Sequence, residues 1–446
     1  MPRRKVRKKG AARGGDSSEG DTEETGSIVS SHLSEPDSII EEGPEPNDNV
    51  RVDETDAQEV LEEKIKEYID GTTQKSANGR RDCLDGLKKC LTRKVLTDFI
   101  DQRKVTIADC VERCIKKGKS DEQALAACVG ALLLIQLGAG EDSEGIFNDL
   151  QPLLKTTLLD KTAAPKGRAS CALFLGLGCF LAAEDYETVQ DCMAALEHVF
   201  RLSYLKGDGT APSHSPAVTA LHCAALSAWT LLLSIAPPSR VPKLIDSHLG
   251  KLPSLLHSDD VSLRIEAGES IAMFYELARE QNEDFDIDNV DELLVMLRGL
   301  ATDSNKYRAK KDRRQQRSSF RDIIRTIEEN DIPHEIIKFG PEILELDGWV
   351  RKRQYVAFRE VLGSGTNTHL QENLLLRDIF GLGAPIIMSG PGAPKKANRI
   401  EGIITILKPS KRGPKSVVNN GTRERQSYNP NIPISANELL INTVGL

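Results

Sequence analysis

Apolar residues recur at helical spacing from Asp56 to Leu300, and this periodicity constrains the fold more than any other feature of the chain. Leu84, Leu87 and Leu91, for example, fall on one face of a helix. No convincing strand alternation interrupts the pattern. Aromatic residues make up only 4% of the chain, which argues against a large aromatic-lined cavity for a small-molecule substrate.

Helix pairs are predicted to start at regular intervals in this region, near Ser120, Lys166, Pro216 and Val261. The interval is about 45 residues, close to the length of armadillo and HEAT units. Stacked units share one continuous core and leave an extended surface that suits macromolecular partners. A compact helical domain is the alternative, and it fits a segment of this length less well. We therefore predict an all-α fold in which residues 56–301 form an armadillo/HEAT-like helical repeat array.

A basic segment at residues 302–330 follows the array. Between Arg308 and Ser319 it contains six bases, one acid and no large apolar side chain, so this half cannot be core. Apolar residues return at positions i, i+3, i+4 and i+7 from Phe320, so this second half can pack on a core. We expect one helix that is anchored at its C-terminal end and projects a cationic N-terminal half. The candidate contacts to RNA or another polyanion are Lys306, Arg308, Lys310, Lys311, Arg313, Arg314, Arg317 and Arg321.

Three further segments differ from the array in composition. Residues 331–383 are richer in aromatic residues and predict a small helical C-terminal domain. Residues 384–446 are rich in proline and glycine, and residues 1–55 are poor in branched apolar residues, so both termini are predicted to be disordered.

The N-terminal segment also accounts for the net charge of the chain, which is -8. Residues 1–15 carry seven bases and no acid, and residues 16–62 carry sixteen acids and one base. Since 7 - 15 = -8, the remainder sums to zero, and the overall charge says little about what the array binds. The basic cluster is a candidate nuclear-localisation signal, with a solvated tail as the alternative. Its residues are Arg3, Arg4, Lys5, Arg7, Lys8 and Lys9.

The sequence contains no constellation that predicts catalysis, a metal site or a cofactor. Cys110 and Cys114 are four residues apart, but no histidine is near them, so a helix packing face is favoured over a metal pair. His222 lies inside a predicted helix and is interpreted as packing. The nine cysteines show no CxxC pair and are interpreted as reduced and intracellular. Apolar runs such as residues 131–135 are too short to cross a bilayer, so no membrane association is predicted.

Three acidic residues of one predicted helix, Glu266, Glu269 and Glu276, are interpreted as a solvated face or as partners of Arg264 or Arg279. With no catalytic group identified, the sequence indicates a binding protein and not an enzyme.

Several long stretches resemble the interferon-related developmental regulator family. They are ERCIKKGKSDEQALAA (112–127), KLPSLLHSDDVSLRIEAGESIAMFYELAR (251–279), ATDSNKYRAKKDRRQQRSSFRDI (301–323) and VLGSGTNTHLQENLLLRDIFGLG (361–383). The resemblance covers residues 53–383. It implies an armadillo-like body with a small family-specific C-terminal domain, in a non-enzymatic regulator of gene expression. After about Glu401 the chain departs from the strongly basic tail that the family pattern leads us to expect.

The resemblance leaves two functions open, because members are described both as ribosome-binding repressors of translation and as nuclear transcriptional co-regulators that work with deacetylase complexes. The basic segment favours the first, since Lys and Arg neutralise phosphates without reading sequence. Its partner would then be the ribosome or ribosomal RNA. In the second, the groove of the array would hold a co-regulator peptide. We therefore expect the protein in the cytoplasm and the nucleus. A third interpretation makes the basic segment a solvated spacer helix with acidic partners in the same chain.

Overall fold

The computed structural model describes residues 54–303 and 309–386, and these residues are mostly helical. The helices in chain order are α1 (Glu54–Gly71), α2 (Ala77–Arg93), α3 (Thr97–Asp101), α4 (Lys104–Lys117), α5 (Asp121–Leu137), α6 (Glu141–Leu159), α7 (Pro165–Ala182), α8 (Tyr186–Phe200), α9 (Pro216–Leu233), α10 (Val241–Leu244), α11 (Val261–Arg279), α12 (Val290–Thr302), α13 (Lys310–Glu329), α14 (Gly348–Leu362), α15 (Thr366–Glu372) and α16 (Leu374–Ile379). Two strands, β1 (His334–Phe339) and β2 (Glu342–Asp347), lie between α13 and α14. The predicted disordered termini fall outside the described residues, except for 54, 55 and 384–386.

The helices α1 to α13 form antiparallel pairs stacked in two layers. The first helices of the pairs form one layer, the first-helix layer, which contains α1, α4, α6, α8 and α12. The second helices form the other, the second-helix layer, in which each helix contacts the next in the order α2, α5, α7, α9, α11 and α13. In the fifth pair a short α10, a π-helical turn (Ile245–Leu249) and a 3-10 turn (Leu252–His257) replace the first helix. Pro242 and Pro253 lie in this irregular stretch. Proline has no backbone N–H group and its ring clashes with the preceding turn, so it interrupts a regular helix. The predicted helical repeat fold is confirmed.

The 45-residue interval has a structural origin in the second-helix layer. The helices expected near Ser120, Lys166, Pro216 and Val261 are α5, α7, α9 and α11, so all four belong to this one layer as second members of their pairs. Helices α5, α7 and α9 are apolar around most of their circumference because each contacts its pair partner and its neighbours in the layer. The prediction that helix pairs start at these positions was therefore wrong, because the strongest apolar signal belongs to the second helix of each pair.

Close packing of α7 against the neighbouring helices α9 and α6 depends on small residues. A Cβ added at Gly176 of α7 would lie 2.6 Å from the Ala228 Cβ of α9, and one added at Gly178 would lie 2.7 Å from Phe147. Glycine is therefore needed at both positions for the helices to approach.

Helix α9 is long and apolar enough to span a membrane by length and composition, with 61% of its 18-residue window buried inside the protein. It packs against α7, α8 and α11, and its Trp229 is only 1% exposed. These contacts are those of a core helix in a repeat array.

The antiparallel hairpin of β1 and β2 is a feature that helical periodicity did not predict. Its register pairs His334 with Asp347 and Phe339 with Glu342, joined by a two-residue turn in which Gly340 has a φ of +52°. In β2, buried Leu344 and Leu346 alternate with exposed residues. This period of two was the available signal, but it extends over only six residues.

Helix α14 begins directly after the hairpin and lies across the second-helix layer, where it contacts α11, α9, α7, α5 and α2. Three edge-to-face ring pairs join its aromatic residues to their neighbours. Phe358 lies 6.2 Å from Phe180 and 6.0 Å from Phe380, and Tyr355 lies 6.2 Å from Phe380, measured between ring centroids. The second-helix layer is thus covered by the chain's own helix over much of its length.

The chain then returns to the first repeats through α15 and α16. His369 Nε2 lies 3.1 Å from the Leu91 carbonyl oxygen, and Asn373 donates its amide to the Ile135 carbonyl at 2.9 Å. Both carbonyl groups lie in the last turn of a helix. Carbonyl groups in that position receive no hydrogen bond from an N–H group of the same helix. Residues 331–383 therefore contact both ends of the array, and the predicted domain boundaries stay predictions.

Candidate polyanion interface

Helix α13 carries the predicted contact residues, and its C-terminal half is anchored as expected. Phe320, Ile323 and Ile327 are buried against α11 and α12. Arg279 of α11 donates hydrogen bonds to the carbonyls of Thr326 at 2.7 Å and Ile327 at 2.9 Å. This half of the helix is fixed by both apolar and polar contacts.

The N-terminal half of α13 does not project into solvent, so this expectation was wrong. Gln316 is only 1% exposed and accepts a hydrogen bond from the Arg264 guanidinium. Its own amide donates to the Leu300 carbonyl at 3.0 Å. One glutamine that satisfies buried polar groups on α11 and α12 holds this half against the array, a contact that apolar periodicity does not record.

The predicted cations of α13 differ in exposure. Lys310, Lys311, Arg314 and Arg321 are exposed, whereas Arg313 and Arg317 are half-buried. Lys306 and Arg308 lie outside the described residues, as do the six nuclear-localisation candidates. Within residues 54–303 and 309–386 none of the six described cations forms a side-chain hydrogen bond or an ion pair.

The last eight residues of the same helix are electrostatically compensated. There Arg325 pairs with Asp331 and Glu328 pairs with Arg298. The uncompensated positive charge is therefore confined to the first twelve residues of α13, which we call the α13 cationic face.

The α13 cationic face has a geometry suited to a repeating anion. Lys311, Arg314 and Arg321 lie at i, i+3 and i+10, so they project from one side of the helix along about 15 Å of its axis. Cations in the first turn oppose the helix dipole, and Asp312 is the only acid there. An external anion would relieve both unfavourable interactions. No Phe, Tyr or Trp is among the large exposed apolar side chains of the described ranges, so this face offers charge without base stacking.

The acidic residues of α11 have a role that the sequence did not reveal. Glu266 pairs with Arg353 of α14 at 2.8 Å, and Glu269 lies 3.6 Å from Lys352. Arg353 is 5% exposed and also contacts Glu360 at 3.3 Å. The interpretation of these glutamates as a solvated face or as partners of Arg264 or Arg279 was wrong, because α14 covers them. Nothing in the spacing of α11 indicates that a helix about 85 residues later would supply the bases.

Glu276 receives the first turn of α14. Its carboxylate accepts hydrogen bonds from the backbone N–H groups of Trp349 and Val350, which no intrahelical partner satisfies. A Cβ at Gly348, where φ is +84°, would lie 2.5 Å from a Glu276 oxygen, so glycine lets the two chains approach. Burial outweighs these donors and raises the pKa of Glu276 to about 7.

Substitution Glu276→Gln is expected to remove a pH dependence from folding. The pKa is about 7 in the folded chain against an ordinary value of 4.5, so the folded state binds this proton more tightly than the unfolded state. The free energy of unfolding of the wild type relative to the variant should fall by about 3 kcal/mol as pH rises from about 4.5 to about 7, and stay level above that. Urea unfolding of both proteins across this range measures the difference. A difference independent of pH would contradict the assignment.

Comparison with known proteins agrees with the resemblance in the sequence. The sequence model of the family described as "Interferon-related developmental regulator (IFRD)" matches residues 25–328, more than half of the chain. The chain belongs to this family. Interferon-related developmental regulator 1 of Sus scrofa is 48% identical over 358 residues, covering 80% of this chain and 78% of the relative. Interferon-related developmental regulator 2 of Mus musculus is 49% identical over 353 residues, covering 78% and 80%.

Solved structures that align with this family member do so at low sequence identity. Kap121p aligns with a TM-score of 0.44 at 14% identity, covering 76% of this chain and 36% of that protein. A HEAT-like repeats protein of Thermococcus onnurineus aligns with a TM-score of 0.34 at 13% identity, covering 62% and 100%.

An open cleft lies on the second-helix layer of this interferon-related developmental regulator family member. It has a volume of about 490 Å³ and lies between α2, α5 and α7, next to Glu360 and Val361 at the end of α14. Ala124, Ala127 and Cys128 contribute to its lining, together with side chains of both charge signs.

The residues considered as alternative sites are packing residues. Cys110 and Cys114 are buried, and none of the nine cysteines forms a disulfide. His222 is 2% exposed, with its Nδ1 2.7 Å from the Ser203 hydroxyl, and burial lowers its pKa to about 4. Within the described residues no three His, Cys, Asp or Glu side chains are grouped so that they could hold a metal ion.

Proposed function

We propose that this regulator represses translation by binding the ribosome or its RNA, and that the α13 cationic face contacts the phosphates. The observation that carries the proposal is the set of six described cations that have no partner within the described residues. When unpaired Lys and Arg side chains on a rigid helix neutralise the phosphates of a nucleic acid, the counterions condensed on that nucleic acid are released. Arg313 and Arg317 are half-buried, so less side-chain entropy is lost when they bind.

The position of α14 weighs against a role that depends on the whole groove. A co-regulator peptide lying along the second-helix layer would have to displace α14, whose Trp349 and Phe358 are 2% and 0% exposed. The cleft of about 490 Å³ beside the end of α14 supports a second candidate, a nuclear co-regulator scaffold that holds a short segment of a deacetylase-type complex. We propose location in both cytoplasm and nucleus for either role.

Sedimentation of the purified protein with ribosomal subunits on sucrose gradients tests the first function. Six phosphate contacts predict that affinity falls about a thousand-fold between about 50 and about 200 mM salt. Absence of co-sedimentation at the lower salt would overturn the proposal. Recovery of deacetylase-complex proteins, without ribosomal RNA, from nuclear lysate at the lower salt would favour the scaffold.

A further inference from the structure

A groove of about 180 Å³ lies on the first-helix layer, between α8 and the irregular stretch of the fifth pair. Met193 and Glu197 of α8 line one side, and Leu244 and His248 line the other. Trp229 of α9 also lines it. We call the site formed by these five residues the α8 groove. His248 belongs to the π-helical turn, a kind of irregularity that is frequent at functional sites.

His248 brings an unpartnered polar atom into this groove. The residue is only 8% exposed, and within the described residues its Nδ1 has no hydrogen-bond partner. Glu197 Oε1 lies 3.7 Å from Nδ1, which is too far for a hydrogen bond. Burial lowers the pKa of His248, so the ring is neutral near pH 7 and does not form an ion pair with Glu197. A buried polar atom without a partner is unfavourable, so a ligand that supplies the partner gains affinity.

The lining of the α8 groove suits an aromatic ring that carries a hydroxyl group. One hydroxyl satisfies both polar residues, because its oxygen accepts from Nδ1–H of His248 while its O–H donates to the Glu197 carboxylate. An anionic group cannot donate to Glu197 and is repelled by it. Met193, Leu244 and Trp229 supply an apolar lining, and rings pack well against a thioether and against another ring. A cavity of about 150 Å³ accommodates benzene, so the groove has room for one phenol ring.

Two basic residues, Arg240 and Lys243, also line the groove. Both are exposed, and neither forms an ion pair with a described residue. Their charges weigh against a cationic ligand, such as a lysine side chain that would donate to Glu197. They favour acidic side chains on either side of the ring. A tyrosine within an acidic segment combines all of these features.

The part of this chain outside the described residues does not supply such a tyrosine. The acidic stretch at residues 16–62 contains no tyrosine. Tyr307 and Tyr428 lie outside the described residues, and each has more bases than acids among the five residues on either side. A second copy of the chain has the same sequence. The ligand is therefore expected on a different protein.

We propose that the α8 groove binds the side chain of a tyrosine that lies in an acidic segment of a partner protein. The ring occupies the apolar part of the groove, its hydroxyl bridges His248 and Glu197, and the neighbouring acids face Arg240 and Lys243. Buried tyrosines are common anchors of protein interfaces. The groove shares no residue with the α13 cationic face, so this interaction is independent of the proposed translational role.

NMR of the methionine methyl groups in the full chain tests the proposal. The probe is the peptide Asp-Glu-Tyr-Glu-Asp with blocked termini, titrated to millimolar concentration. We expect a saturable shift of the Met193 methyl resonance and no shift of Met296, which lies on α12. A peptide with Phe in place of Tyr should bind at least about ten-fold more weakly, because the two polar groups of the groove then lose their partner. A phosphotyrosine peptide should not bind, because Glu197 repels the phosphate.

Two variants of α8 separate the hydroxyl contact from the effect of charge. Glu197→Ala should reduce the preference for the Tyr peptide over the Phe peptide to below about three-fold, because the hydroxyl loses its acceptor. The matched variant Glu187→Ala changes an exposed residue of the same helix and alters the net charge equally. It should keep the full preference. Equal preferences in the two variants would contradict the contact with Glu197.

The basic residues of the groove are tested by the double variant Arg240→Glu and Lys243→Glu, which should abolish binding of both peptides. The double variant Lys75→Glu and Lys206→Glu changes two exposed lysines that do not line the groove, and it should bind as the wild type does. An unchanged Met193 resonance, equal affinity for the Tyr and Phe peptides, or tighter binding of the phosphotyrosine peptide would each overturn the proposal.

Discussion

Charge reversal at Lys311, Arg314 and Arg321 is expected to weaken binding to ribosomal subunits by roughly 100-fold near 0.15 M salt. Each lost phosphate contact lowers the dependence of log affinity on log salt concentration by about 0.7 to 0.9, so three contacts account for a change of this size. The three side chains are exposed and unpaired in the described part of the chain, so their substitution by Glu should leave the fold unchanged. Sedimentation at several salt concentrations measures both affinity and salt dependence.

The control for this experiment is charge reversal at Lys75, Lys206 and Lys251, which are exposed lysines outside α13. It changes the net charge equally, so it should lower affinity much less if position matters. Equal losses in both variants would show that only the net charge of the chain matters. No loss in either would remove the role assigned to the α13 cationic face.

Substitution Arg353→Met is expected to lower the free energy of unfolding by about 3–5 kcal/mol, because it leaves Glu266 buried beneath α14 without its base. Glu266 has only 12% of its side chain exposed, and burial raises its pKa to about 7. Part of the expected loss is therefore avoided at low pH, where Glu266 takes up a proton. Urea unfolding at two pH values measures both effects.

Two further variants separate the ion pair from general effects of the substitution. Glu266→Met combined with Arg353→Met should be less destabilising than Arg353→Met alone, since no buried charge is then left unpaired. Arg325→Met removes an exposed partner of Asp331 and should cost less than about 1 kcal/mol. If Arg353→Met cost no more than Arg325→Met, the contact between α14 and α11 would not depend on this pair.

Sequence reasoning worked best where one side chain type repeats along one helix. The stripe beginning at Phe320 predicted the buried half of α13. It was less successful for Gln316, because a polar residue inside a basic run gives no sign that a buried partner exists on another helix. For the α13 cationic face, the residues were therefore identified from sequence, but the division into exposed and half-buried cations was not.

The sequence by itself determined the helical repeat class, the family and the position of the uncompensated basic charge. All three follow from local periodicity, long matching stretches and charge counting. Only the tertiary structure decided that α14 covers the second-helix layer and that its residues bind to Glu266, Glu269 and Glu276. These contacts join residues more than 70 positions apart, and their energy depends on removing both partners from water. Helical spacing contains no information about that burial, so an acidic face that meets solvent and one that meets a buried helix have the same pattern.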